Sequence, residues 1–109
     1  MPSDAAHRAF KDGLYAQLAR VGKALGSPHR IELLELLAQG ERSVEALAEQ
    51  AGLPIGNASS HLQVLKESGL VETRKAGLYV HYRLADASVF ELVTALHKVG
   101  ERRLAELNR

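Results

Sequence analysis

The sequence predicts a mainly α-helical domain that carries one β-hairpin. Three observations point there. Over most of the chain, apolar residues recur at steps of three and four, the period of a helix with one buried face. The exception is Leu70 to Leu84, where two short runs, Leu70–Arg74 and Tyr79–Leu84, flank Lys75, Ala76 and Gly77. Aromatic residues are also scarce, with Phe10, Tyr15, Tyr79, Tyr82 and Phe90 as the whole set. The core must therefore be Leu, Ala and Val, which suits packed helices better than a β-sandwich.

Each element follows from local signals. Phe10, Leu14, Leu18, Val21 and Leu25 form one helical stripe, and Gly26 is a natural stop. Residues 1–9 are expected to be a flexible tail, with one domain over 10–109. Ser27-Pro28 starts a second helix, with Ser as N-cap and Pro in the first turn, where its missing N–H costs nothing. Ile31, Leu33, Leu34, Leu36 and Leu37 make that helix apolar nearly all round, hence central, and it ends by Gly40. Ser43 caps a third helix, Val44 to Ala51, with Val44, Leu47 and Ala48 inward. Gly52-Leu53-Pro54 is a tight break. A fourth helix runs from about Ile55 to Ser68 on Ala58, Leu62 and Leu65, and Gly69 stops it. The hairpin follows, and Asp86 caps a last helix from about Ala87 to Leu107. Two helices joined by a short break and followed by a hairpin make the plan of a winged helix-turn-helix.

Composition narrows the function classes. The 109 residues suit a single domain, with 46% hydrophobic and 25% charged residues. There is no cysteine, which removes disulfides, thiolate metal sites and thiol redox switches. No apolar run has membrane-spanning length and no signal-peptide core follows Met1, so a cytoplasmic protein is expected. The net charge of +1 neither demands nor forbids nucleic acid, so local distribution decides.

That distribution favours DNA. Opposite the apolar side of the fourth helix lie Gly56, Asn57, Ser60, Gln63, Val64 and Glu67. No acid occurs from Gly52 through Lys66, whereas Glu32, Glu35, Glu41, Glu45 and Glu49 precede it. Gln63 can pair bidentately with the N6/N7 edge of adenine, and Asn57 and Ser60 can reach base edges or phosphates near the helix start. Ser59 and His61 flank this face and are expected at the DNA backbone, with Lys66 further along the helix. Arg74, Lys75, His81 and Arg83 concentrate charge on the hairpin, and Tyr79 and Tyr82 add phenols. Alternation puts Tyr79, His81 and Arg83 on one face and Val80, Tyr82 and Leu84 on the other. Such a tip can lie beside a minor groove and neutralise phosphates.

Two other function classes fit less well. A winged-helix adaptor for protein partners would expose large apolar anchors on the fourth helix, where this chain has Asn57, Ser60 and Gln63. A histidine-metal hydrolase lacks a ligand set. His7, His29, His61, His81 and His97 lie in five different elements, and the sharpest candidate is His97 with Glu101, one turn apart on the last helix. No nucleophile elbow or phosphate-cradling glycine loop is present. Neither an enzyme activity, a cofactor nor a metal site within one chain is expected; a zinc or nickel site that a dimer assembles from His97 and Glu101 of both chains, or with His7, stays open.

Three segments resemble one known family. Residues 21–37, VGKALGSPHRIELLELL, are similar to the "ALxxPxRLxILxLL" opening of the ArsR/SmtB regulators. Residues 57–71, NASSHLQVLKESGLV, are similar to the family's recognition helix, "VSxHLxxLxxAGLV", and residues 77–84, GLYVHYRL, to its wing, "GxxxxYxL". The resemblance implies a dimeric repressor that leaves a palindromic operator when an inducer is present, with the first and last helices forming the dimer. Phe10, Leu14, Leu18, Val89, Leu92, Leu96 and Val99 are the expected interface residues. One metal pattern of the family needs cysteines at the start of the third helix, where this chain has Ser43-Val44-Glu45. Another falls on Asp86, Ser88, Val99 and Arg102, which keeps only the first ligand. Soft ions such as arsenite and cadmium prefer thiolates, so an organic or sulfur-containing inducer, or a signal from a partner domain, is expected instead. The opening helix also resembles the branch in which a rhodanese domain follows the winged helix.

Overall fold

The computed structural model describes residues 3–109. Its elements are α1 (Asp4–Ala24), α2 (Pro28–Ala38), β1 (Arg42–Ser43), α3 (Val44–Ala51), α4 (Ile55–Glu67), β2 (Val71–Ala76), β3 (Tyr79–Leu84) and α5 (Ala87–Leu107). The order is that of a winged helix-turn-helix with one added strand.

Helix ends follow the capping chemistry. Ser43 Oγ accepts the Ala46 N–H at 3.2 Å, Ser27 Oγ accepts from Arg30, and Asp86 accepts from Ser88 and Val89. These contacts meet N–H groups that a helix start leaves without partners. Gly52, at φ +67°, ends α3 in the left-handed region that a side chain rarely adopts. The N-terminal expectation needs correction. Ser3 caps α1 through Ala6, so residues 4–9 are helical rather than a loose tail. The stripe from Phe10 marks an apolar face, not the start of the helix. Met1 and Pro2 of the expected tail lie outside the described residues.

The core gathers around α2, whose Leu33, Leu34 and Leu37 are buried. Leu47 of α3, Leu62 and Leu65 of α4, Leu70 and Val71 at the start of the hairpin, and Val89 and Val93 of α5 close over them. Each buried leucine contributes about 1.5–3 kcal/mol by leaving water. Helix α1 is different. Only its last turns reach this core, through Val21, Ala24 and Leu25, while residues 3–20 are almost wholly exposed.

The sheet differs from the expected hairpin in two ways. Strand β2 continues to Ala76, which pairs with Tyr79, so the turn is Gly77-Leu78. Gly77 has φ +63° and Leu78 does not have positive φ, as in a tight two-residue turn with glycine first. The strand order is β1-β3-β2, because Arg42 and Ser43 pair with Tyr82 and His81. Arg42 fixes this extra strand. Its guanidinium donates to the Leu36 carbonyl at 3.1 Å, to Gln50 at 2.7 Å and to Gln39 at 3.1 Å. It thereby joins the end of α2 to α3. No described helix is long and apolar enough to cross a membrane.

Candidate nucleic-acid interface

Three buried residues, Ala58, Leu62 and Leu65, seat α4 on the core. The opposite face is therefore turned outward. Asn57, Ser59, Ser60, Gln63 and Lys66 are all exposed on it or beside it. Ser60 Oγ donates to the Gly56 carbonyl at 3.0 Å, and Gln63 Nε2 donates to Glu67 Oε1 at 3.2 Å. Both bonds are local and exposed, so either side chain can exchange its partner for a base edge. Ile55 and Val64 add exposed apolar surface at the two ends of this face. Ile55 was not among the expected residues, because a helix-start position carries no periodicity signal. Its contribution suits apolar contact with a thymine methyl.

His61 is expected at the DNA backbone. It is half-buried, its ring centroid 5.6 Å from that of His29 and its Nδ1 3.5 Å from Arg30 Nη1. Arg30 also donates to the Ala24 carbonyl at 2.6 Å and to Lys23 at 3.1 Å. Burial, and then the Arg30 and His29 charges, hold the His61 imidazole below its ordinary pKa. In its neutral form the ring serves to pack α4 against α2.

The wing is less uniformly basic than its sequence. Cross-strand register places Arg74 opposite His81 and Glu72 opposite Arg83, on one face with Tyr79. Glu41, in the loop before β1, is bonded by Arg74 and lies 3.9 Å from His81. Arg83 is tied to Glu72 at 2.8 Å. The Arg74 bond, the largest cause, holds the Glu41 carboxyl below the usual range. Arg74 and His81, both expected at DNA, are thus engaged within the protein. In the sequence Glu41 is only an acid outside the fourth helix, and its 33-residue separation from Arg74 hides the pairing. Lys75 pairs with Val80 on the other strand face, that of Tyr82 and Leu84, and has no ion pair among the described residues. At the tip, Leu78 is 99% exposed.

The outer helices present the second candidate surface. Phe10, Leu14 and Leu18 are exposed along α1, as is Tyr15, and Leu92 and Val99 are exposed along α5. Leu96 is half-buried. Val89 corrects the expected set, since it is 6% exposed and belongs to the chain's own core. Just inside the Asp86 cap, it joins Val93 in the buried cluster rather than facing outward. Phe90, Leu104 and Leu107 extend the exposed apolar surface of α5. Between α2 and α5 an apolar groove of about 510 Å³ is lined by Ile31, Leu96, Val99 and Leu104.

Asp86 is used as a helix cap. Among the described residues, no group of three or more His, Cys, Asp or Glu side chains is placed to hold a metal ion. His97 contacts Glu35 and, at 2.8 Å, Glu101, one carboxylate on each ring nitrogen.

A buried three-helix core with an outward amide-bearing helix and a hairpin beside it defines a winged helix-turn-helix of the kind found in transcription regulators. Comparison with known proteins agrees. A helix-turn-helix domain family matches residues 25–74. The HTH-type transcriptional regulator Rv0324 of Mycobacterium tuberculosis is 45% identical over 97 residues, which are 89% of this chain and 43% of that protein. The chain thus spans less than half the length of that relative. A biofilm growth-associated repressor of Xylella fastidiosa is 40% identical over 83 residues, covering 76% of this chain and 73% of the repressor. Among solved structures, the homodimeric winged helix-turn-helix DNA-binding domain Mb0332 of Mycobacterium bovis, described as a possible ArsR-family regulator, superposes with a TM-score of 0.83 at 43% identity. It covers 95% of this chain and 92% of that fragment. The chain belongs to the ArsR family of winged helix-turn-helix transcriptional regulators.

Proposed function

We propose that the chain is a sequence-specific regulator that binds double-stranded DNA as a homodimer, represses from a palindromic operator in the cytoplasm, and is released by an inducer. The observation that carries this reading is the outer face of α4. Asn57, Ser60 and Gln63 are exposed there on a rigid, core-seated helix, with an acid-free run from Gly52 through Lys66. Short amide and hydroxyl side chains suit base edges in a major groove, and the homodimeric relative carries the same fold. Lys75 supports the same reading from the wing, exposed and without an ion pair among the described residues.

The dimer part of the reading rests on α1 and α5. Most of α1 stands clear of its own core with Phe10 69% and Leu18 54% exposed, and α5 exposes Val99 and Leu104. Apolar stripes of this length on a small domain mark an interface. A second copy, related by a two-fold axis, would cover both. The two α4 helices would then enter successive major grooves about 34 Å apart. The reading assigns no catalysis and no metal cofactor to the chain. Its test is a mobility-shift assay on the DNA upstream of its own gene, against a competitor of scrambled sequence. A saturable shift that only the unscrambled duplex competes away is expected; equal competition by both would remove sequence-specific binding.

A further inference from the structure

The far end of α4 forms one wall of a second cationic feature. Arg20 and Lys23 of α1, Arg30 of α2, and Val64 and Glu67 of α4 line an open groove of about 410 Å³. Val64 and Glu67 belong to the same outer face as Asn57, Ser60 and Gln63. The groove therefore continues the candidate reading surface and is separate from the wing.

Its charged groups have different commitments. The Arg30 guanidinium is used up on the carbonyls of Ala24 and Lys23 and on His61. It fixes the end of α1 against α4 and so positions the groove. The Glu67 carboxylate accepts the Gln63 amide. Arg20 and Lys23 remain, both exposed and without an ion pair among the described residues. Lys23 lies in the last turn of α1, where a cation also offsets the helix dipole. Arg20 lies nearly a turn earlier, where that effect has faded, so the dipole does not account for it.

A helix with its side chains is about 10–12 Å across, and the major groove of B-DNA is about 12 Å wide. A reading helix fills the groove, and whatever packs beside its outer face meets the phosphates at the rim. We propose that Arg20 and Lys23 are DNA-backbone contacts, a second strip of phosphate neutralisation supplied by α1. This rests on α4 being the reading helix. The Glu67 carboxylate on the same wall would repel a nearby phosphate, and the two uncommitted cations outweigh it.

The test uses the whole chain and a duplex enriched by it from a random-sequence pool. Binding is followed by fluorescence anisotropy between about 50 and 200 mM salt. The proteins compared are the wild type, R20Q/K23Q, and K75A as a wing reference. Thermal melting and sedimentation confirm that the variants keep the wild-type fold and assembly. R20Q/K23Q is expected to bind at least tenfold more weakly at low salt, with unchanged base preference. Its log–log salt slope should flatten by about 1.8 per protomer, at about 0.9 per lost phosphate contact. Unchanged affinity and slope in R20Q/K23Q, with wild-type binding intact, would overturn this proposal alone. A wild-type chain that enriches no duplex would overturn the reading of α4, and this proposal with it.

Discussion

The guanidinium of Arg74 forks onto the carboxylate of Glu41, tying the wing to the loop that precedes the helix-turn-helix. One of the hairpin's cations is thereby neutralised before any DNA arrives. Replacing the acid should release it. Glu41→Gln is expected to tighten binding to duplexes of any sequence and to steepen the log–log salt slope by about 0.9 per protomer. Anisotropy titrations over a salt series check this. A slope equal to that of the wild type would mean that Arg74 stays away from phosphates even when freed.

Among the described residues the Gln63 side chain is bonded to Glu67, one turn on along an exposed face. Gln63→Ala should cost roughly 1–3 kcal/mol of operator binding and relax base preference at one position of each half-site. Selection from a random pool with the variant reads both effects. Loss of affinity with no change in preferred sequence would assign Gln63 to the backbone instead.

The exposed stripe of α1 predicts how the assembly fails. Leu14→Asp with Leu18→Asp places two charges in an apolar seam while touching nothing in the core. Light scattering should change from a dimer mass to a monomer mass at micromolar concentration, with the remaining domain still helical by circular dichroism. A wild type that is already monomeric at that concentration would contradict the interface.

Two histidines are displaced in opposite directions. The bond to Glu35, its charge, and then Glu101 raise the pKa of His97 above its ordinary value of about 6.5. Its contribution to stability is full below that value and is lost as pH rises through the folded pKa. For His61, burial comes first and the pKa is lowered, so its contribution is present above about 6.5 and is lost as pH falls through the folded value. Stability should therefore decline on both sides of about pH 6.5 from these two groups. Imidazole NMR titrations should place His97 above His61, and Glu35→Gln should bring His97 down while leaving His61 where it is. The reverse order would exclude the His97–Glu35 contact in solution.

What could be read from the sequence was what the chain encodes locally. The bounds of α3 and α5 follow from Ser43 and Asp86, whose side chains cap the residues just after them. The buried set of α4 follows from its spacing. The features that were not legible depend on partners far along the chain. Strand β1 is two residues long and exists only because Tyr82 and His81 accept it as a neighbour. Glu41 gives no sign of Arg74, and His61 none of Arg30, since the pairs are 33 and 31 residues apart. Val89 matches the period of the α5 stripe, but the packing of the start of α5 on the core decides that it turns inward. The start of α1 is hidden for another reason: Ser3 caps a helix over residues 4–9 that has little to bury.

Strand β3 is hydrogen-bonded along both edges, to β2 on one side and to β1 on the other. Through Arg42 that sheet is anchored to the ends of α2 and α3. A hairpin held this way is no flap. In the proposed complex the base of the wing and α4 would then move together, as one jaw. Under the proposed repressor reading, a releasing signal would act on the gauge between two such jaws, at the helices that join them.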